Sequence, residues 1–528
     1  MSVRSSRERE RAELHKAIWK VANDLRGSVD GWDFKNYVLG MLFYRFISEN
    51  LTRYLNEQER AAGTPDFDYA AIADEDAEPA RSDTVAEKGF YILPSQLFVN
   101  VLKKARNDEN LNETLSRIFI AIEGSAVGTD SEDRFKGLFE DIDVNSNKLG
   151  STVLERNEKL VKLMEALGTM PLANGTGDFA ENTNDLFGDA YEFLMQMYAS
   201  SAGKSGGEYY TPQEVSELLT RLATVGKKEV NRVYDPACGS GSLLLKFLKI
   251  LGPDKVRQGF WGQEINLTTY NLCRINMFLH DLNYGKINIA LGDTLINPAH
   301  REEELFEAIV SNPPYSIKWA GSDNAVLIND PRFSPAGVLA PKGKADLAFV
   351  MHILSHLAVD GTAAIVKFPG VLYRGGAEQK IRRYLVENNY VDTVIQLPAD
   401  LFFGVTIATC IIVLKKAKKD NDVLFIDASQ CFARSGTKNI LLPEHQKEIV
   451  DAFKARKDKE YFARRVTHKE IAEENYNLAV STYVQPEDTR EIINIKELNK
   501  DIAAIVQRQS ALRARIDAIV TRLTGKAK

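Results

Sequence analysis

The chain has 528 residues, of which 44% are hydrophobic and 27% charged, an ordinary globular composition with room for about two to four domains. Its net charge of −6 excludes a protein that coats nucleic acid unaided, since phosphate neutralisation needs a concentrated basic surface; any DNA contact is a local patch or is shared with a partner. Cys238, Cys273, Cys410 and Cys431 form no C-x-x-C pair, so neither a zinc site nor a disulfide framework is expected.

The N-terminus, Met1 to Glu8, is charged and lacks an apolar core, and no apolar run approaches bilayer-spanning length. The predicted location is therefore the cytoplasm, with no membrane segment. Residues 1–168 read as an all-helical domain. Leu14, Ile18, Val21 and Leu25 make one helical stripe, and Tyr37 to Ile47 is a thickly apolar second helix. The acidic, proline-containing stretch from Asp66 to Pro79 reads as a solvated loop. Gly168 to Gly177 has the Gly/Pro/Asn content of a domain boundary.

Over residues 169–480 the pattern changes to strands alternating with helices, which predicts an α/β domain with a mostly parallel sheet covered on both faces. Candidate strands are Arg232–Asp235, Phe260–Glu264, Ile287–Leu291, Ala308–Ser311, Thr362–Lys367, Val391–Ile395 and Ala408–Leu414, a seven-stranded sheet. The connection from Pro398 to Thr406 is too short for a crossover helix, so the last strand is expected to run antiparallel to its neighbour.

Chemistry-bearing residues cluster at the strand ends. Asp235-Pro236-Ala237-Cys238-Gly239-Ser240-Gly241 follows the first strand and opens an apolar helix. Its glycines let the backbone approach a ligand and present N–H groups at a helix N-terminus. The loop does not match the G-x-G-x-x-G of dinucleotide folds. Glu264 ends the second strand, where a carboxylate can take both hydroxyls of a ribose. Asp293, after the third, can meet an adenine amino group. Upstream, Glu208-Tyr209-Tyr210-Thr211-Pro212 enters the domain, with Thr211 expected as a helix cap and Pro212 in the first turn.

Asn312-Pro313-Pro314-Tyr315 follows the fourth strand. A planar amino nitrogen, on adenine, cytosine or an amide, is a poor nucleophile until acceptors draw it toward tetrahedral geometry. The Asn312 side-chain carbonyl and the Pro313 backbone carbonyl offer two, held by proline's restricted backbone, and Tyr315 is placed to stack on the ring. The segment from Ser316 to Lys344, rich in Gly, Pro and Asp, is expected to be a mobile lid beside the base.

Residues 481–528 form a helical tail. Ile495, Leu498, Ile502, Ile505, Leu512, Ile516, Ile519 and Leu523 keep a three-four spacing, with Gln509 in the remaining seam position. This is a coiled-coil pattern, and it is expected to meet a partner helix.

These motifs, together with Ala345-Asp346-Leu347-Ala348-Phe349, Phe368-Pro369-Gly370-Val371-Leu372-Tyr373-Arg374 and Asn475-Tyr476-Asn477-Leu478, make the chain resemble, over nearly its whole length, the modification subunit of type I restriction-modification systems. The resemblance implies a class I S-adenosylmethionine-dependent, Rossmann-like methyltransferase acting on the N6 amine of a flipped adenine in double-stranded DNA. It implies cofactor-binding roles for Glu208 to Pro212, Asp235, Pro236, Cys238 to Gly241, Glu264 and Asp293, and catalytic roles for Asn312 to Tyr315. It also implies a specificity subunit bound by two copies of this chain, and a restriction subunit in the full complex. The motif by itself leaves a glutamine amide or an RNA amine open as the acceptor, and a non-catalytic assembly scaffold is a further alternative.

Overall fold

The computed structural model describes Lys16 and residues 31–170, 187–188, 190–195, 197, 211–300, 305–402, 405–436, 438–485 and 495–525. The predicted stripe at Leu14 to Leu25, the residues Glu208 to Tyr210 and most of the stretch from Gly168 to Gly177 lie outside these. The chain divides into two compact units, the second beginning at Gln485, where the sequence pattern had placed a boundary at 481.

The N-terminal part of the first unit is helical. Helix α1 (Gly31–Ala61) carries the apolar run Tyr37 to Ile47, whose side chains are buried almost throughout, and Arg60 in its last turn meets the negative end of the helix dipole. Helices α2 (Leu111–Ser125) and α3 (Val153–Gly168) are the other long helices of the layer; Thr152 and Glu155 start α3 with a reciprocal capping box. The Asp66 to Pro79 stretch differs from expectation: it folds into short helical turns that bury Tyr69, whose hydroxyl donates to the Ile92 carbonyl at 2.7 Å. An acidic composition hid one aromatic anchor.

This layer is joined to the sheet region by aromatic and polar contacts. The Phe135 and Phe278 rings lie 4.8 Å apart, and Arg274 donates to the carbonyls of Asp133, Arg134 and Lys136. Thr268 and Asn271 both donate to Asp141. These join the helical layer to α6 (Leu267–Leu279), which packs on the sheet.

The sheet strands are β1 (Val230–Asp235), β2 (Val256–Glu264), β3 (Ile287–Leu291), β4 (Phe306–Ser311), β5 (Leu357–Lys367), β6 (Val391–Gln396), β7 (Cys410–Lys415) and β8 (Val423–Asp427). A small ribbon pairs β9 (Ala433–Ser435) with β10 (Lys438–Ile440), and β11 (Ala463–Val466) closes the main sheet. The order is β11-β8-β6-β7-β5-β4-β1-β2-β3. β7 is antiparallel to both β5 and β6, as its short connection requires. The seven expected strands are present, and β8 and β11 extend them to a nine-stranded sheet. The last sheet strand therefore ends at Val466, later in the chain than the sequence pattern indicated.

Strands buried on both faces make two hydrophobic layers. In β5, Ala364 and Val366 face the layer containing α4 (Gln213–Ala223), α5 (Ser242–Leu251) and α6, while Ala363 and Ile365 face α7 (Asp346–His356) and α8 (Ala377–Glu387). The strand order reverses between β1 and β4, which opens a crevice at their carboxyl ends. Every described site residue predicted from sequence lies on this rim, at the last residue of β1 or β2, in a loop leaving β1, β3 or β4, or at the start of α4.

The second unit holds α10 (Ile495–Thr524), a thirty-residue helix with no buried residue, numbered after α9 (Pro443–Ala455) of the first unit.

Candidate active site

β4 stops where Pro313 and Pro314 withdraw backbone donors from the ladder. Just beyond, the Asn312 amide nitrogen donates to Thr211 Oγ1 at 3.0 Å, and the Tyr315 hydroxyl donates to Asn312 Oδ1 at 2.6 Å. The two bonds hold both ends of the amide, so its carbonyl faces Tyr315 and its NH₂ faces the start of α4. Thr211 is buried, and the capping position of α4 is taken by Pro212 with no side-chain hydrogen bond. Thr211 is thus not the helix cap expected; its hydroxyl orients Asn312 instead.

The turn after the motif is fixed from α7. Ser316 adopts a left-handed backbone, φ 51°, and its N–H lies 3.2 and 3.1 Å from the two carboxylate oxygens of the buried Asp346. Burial pushes the Tyr315 phenol well above its ordinary range, with the charges of Cys410 and Asp346 adding to the effect, so the hydroxyl remains a donor at neutral pH.

The neighbouring loop is built around two carboxylates. Asp235, 1% exposed, accepts the Ser311 hydroxyl at 2.6 Å and the Ala237 N–H at 3.0 Å on one oxygen. Burial pushes its carboxyl to about 7, against the lowering effect of those two hydrogen bonds and with the Glu264 charge raising it further. It shapes the loop from beneath and ties the end of β1 to the end of β4. Cys238 donates its backbone N–H to the Gln263 carbonyl and packs its thiol against Cys273; all four cysteines are buried and free.

Glu264 accepts the Gly239 N–H at 3.1 Å and the Asn266 N–H at 2.8 Å, one on each oxygen. Burial raises its carboxyl, and the amides of Asn266, Gly239 and Ile265 oppose that rise. The carboxylate keeps acceptor capacity for a ligand hydroxyl. Gly241, φ 78°, caps α5, and a Cβ there would lie 2.8 Å from Cys273 Sγ, so only glycine allows the loop to close this tightly. Around Gly239, φ 53°, a Cβ would meet nothing within 4 Å, leaving open space over the loop where a ligand can approach. This cradle of a half-buried carboxylate, glycine backbone and open space fits a nucleoside-bearing cofactor. Asp293 turns its carboxylate to the Leu295 N–H at 2.9 Å, and Gly292 donates its N–H to the Glu264 carbonyl, so the ends of β2 and β3 meet in one rim.

Sequence reasoning located this rim but missed the groups behind it. Ser311 precedes the motif directly, yet a serine at a strand end carries no distinctive signal. Asp346 opens a helix, where an acidic residue reads as an ordinary first-turn carboxylate and gives no sign of its bond to the Ser316 N–H. The Ser316 to Lys344 segment is no free lid: Trp319, Leu327 and Phe333 are buried in the hydrophobic layer, and Arg332 and Asp330 form a buried ion pair. Its glycines and prolines obscured those anchors. Among the described residues no group of His, Cys, Asp and Glu is arranged to hold a metal ion, and no helix is long and apolar enough to cross a membrane.

Comparison with known proteins places this geometry in a family. Residues 182–492 match the model described as N-6 DNA Methylase, and residues 14–167 match the HsdM N-terminal domain. The type I restriction enzyme MpnII methylase subunit of Mycoplasma pneumoniae is 50% identical, over 98% of this chain and 97% of that protein. The MjaIX methylase subunit of Methanocaldococcus jannaschii is 26% identical over 97% of this chain and 91% of its own length. The crystal structure of the type I restriction-modification methyltransferase subunit from Streptococcus thermophilus superposes with a TM-score of 0.79 at 36% identity, covering 90% of this chain and all of that one. These matches remove the choice the motif alone left among adenine, amide and RNA nitrogens. The chain belongs to the N-6 DNA methylase family, among the methylase subunits of type I restriction enzymes.

Proposed function

We propose that this adenine N6-methyltransferase works by drawing the amine of an extruded adenine onto the carbonyls of Asn312 and Pro313 while Tyr315 stacks on the ring. The observation that carries the reading is the doubly held Asn312 amide, beside an open glycine loop at the sheet's switch point. Unstacking a base costs a few kcal/mol, and one aromatic stack returns roughly 1–3 kcal/mol.

S-adenosylmethionine, when bound, supplies an electrophilic methyl group on a sulfonium. Glu264 would hold its ribose hydroxyls and the Gly239 to Gly241 backbone its polar tail, with Asp293 near its adenine. Asp235 keeps that loop in place through Ser311 and Ala237. The remaining task of the protein is alignment, a positioning effect able to supply several kcal/mol. Asn312 contributes by being fixed before the base arrives: with its NH₂ on Thr211, only the oxygen is presented to an incoming amine.

Base reading requires a surface that contacts groove edges. Membership among type I methylase subunits supports a specificity subunit as the source of sequence recognition. On this reading two copies of this chain bind it, the target is double-stranded DNA, and a restriction subunit joins the full complex. Mapping N6-methyladenine in genomic DNA from cells with and without this gene and its neighbour tests the reading. A single methylated sequence motif that disappears with the pair is the expected result; unchanged adenine methylation would contradict it.

A further inference from the structure

The guanidinium of Arg332 is the meeting point of three chain segments, and a fourth is reached through His352. Its residue is 4% exposed. Nε and Nη2 donate to the Asp330 carboxylate at 3.0 and 2.8 Å, Nη1 to the Thr294 carbonyl at 2.8 Å and Nη2 to the Leu295 carbonyl at 2.7 Å. Nη1 also lies 3.0 Å from His352 Nδ1 on α7, and the other ring nitrogen of His352 pairs with the Tyr234 hydroxyl on β1 at 2.9 Å.

Thr294 and Leu295 follow Asp293 directly. The Thr294 hydroxyl donates to the Pro236 carbonyl at 2.6 Å, inside the loop after β1. One side chain from the segment downstream of the catalytic motif therefore grips the turn after β3, and that turn grips the loop after β1.

We propose that Arg332 is a positioning residue that locks the Asp293 turn against the Asp235 to Gly241 loop, so that cofactor affinity depends on a group in the base-side segment. A buried ion pair is weak support for a stabilising role, because desolvation offsets its attraction. Its placement explains it better: only a planar fork with five donors reaches Asp330 and two successive carbonyls together, which a lysine ammonium on a single axis cannot do. The inference rests on the assignment of the glycine loop and Glu264 to the cofactor.

The test uses the full chain and calorimetric titration with S-adenosylmethionine, with thermal unfolding in parallel. Arg332→Lys keeps the charge beside Asp330 but loses the fork, and it should weaken cofactor binding about tenfold. In the complex with the specificity subunit, the KM for cofactor should rise by a similar factor while kcat at saturation stays within about twofold. Thr294→Val, which removes one hydroxyl and should fold even if Arg332→Lys does not, is expected to weaken binding as well. The double variant should bind no worse than Arg332→Lys alone, because the two groups act through one link. Wild-type affinity in Thr294→Val, or losses that multiply in the double variant, would overturn the proposal. Glu264→Ala separates the two levels: if it weakens binding while the Arg332 and Thr294 variants do not, only the coupling fails; if it too binds normally, the cofactor-site assignment fails.

Discussion

The Tyr315 hydroxyl donates its hydrogen bond to Asn312 Oδ1, the oxygen proposed to receive the target amine. On that proposal Tyr315 occupies the amine's acceptor before the base arrives, and base entry exchanges one donor for another. Tyr315→Phe removes the competing donor but keeps the ring, so activity should stay within about threefold of wild type, the size of one modest hydrogen bond. Tyr315→Ala should lose tenfold or more, since stacking is worth roughly 1–3 kcal/mol. A fluorescent adenine analogue at the target position reports the extruded state. Equal inactivity of both variants would show that the hydroxyl, and not the ring, carries the role.

Thr211 holds the other end of the same amide. Thr211→Val leaves the volume and removes the acceptor, so Asn312 loses the bond that fixes its orientation. Turnover should fall about tenfold with cofactor affinity unchanged. Parallel loss of cofactor binding would return Thr211 to the cofactor-side role that its sequence context implied.

Lys367 ends β5 with its ammonium fully buried, without a hydrogen bond and 5.3 Å from the Phe349 ring centre. Burial lowers its pKa from 10.5 to about 8, with Asp346 and Cys410 opposing. Below about 8 the folded state carries a buried ion; between there and 10.5 the unfolded chain binds more protons, so this residue makes stability rise with pH over that window. Lys367→Met should raise stability at pH 7 by about 2–3 kcal/mol, and the advantage should shrink toward pH 10. Denaturant unfolding at pH 7, 8.5 and 9.5 measures it. A difference that does not change with pH would show that the buried charge is not the cause.

The seam of α10 remains exposed at Ile495, Leu498, Ile502, Ile505, Leu512, Ile516, Ile519 and Leu523. A row this apolar on a solvated helix is suited to burial against a partner. Deleting residues 491–528 should leave cofactor affinity intact and weaken assembly with the specificity subunit. Ile505→Glu with Ile516→Glu should do the same by forcing charge into the seam. Size-exclusion chromatography of the mixture decides it, and a truncated chain that still forms the complex at low micromolar concentration would contradict the assignment.

Strands with continuous apolar runs were legible in the sequence, because a stretch buried on both faces is built from residues such as Ala308-Ile309-Val310 of β4 and Ile411-Ile412-Val413-Leu414 of β7. β11 was not: Ala463-Arg464-Arg465-Val466 buries only its two ends, and paired arginines on a sheet edge read as solvated loop. The site divides in the same way. Its rim follows from local motifs, since each lies within a few residues of a strand end. The supports behind it join residues remote in sequence, Asn312 to Thr211, Ser311 to Asp235 and Tyr234 to His352, and only the register of the sheet brings them together.

Amine activation and cofactor binding are proposed to reside in separate residues of one crevice. Asn312→Ala and Glu264→Ala, each assembled with the specificity subunit, divide them most directly when cofactor affinity and methyl transfer to duplex DNA are measured on the same samples. Asn312→Ala should bind S-adenosylmethionine nearly as wild type and transfer no detectable methyl group, while Glu264→Ala should lose cofactor affinity first. Loss of cofactor affinity in Asn312→Ala as severe as in Glu264→Ala, or methyl transfer persisting without the Asn312 carbonyl, would contradict that division.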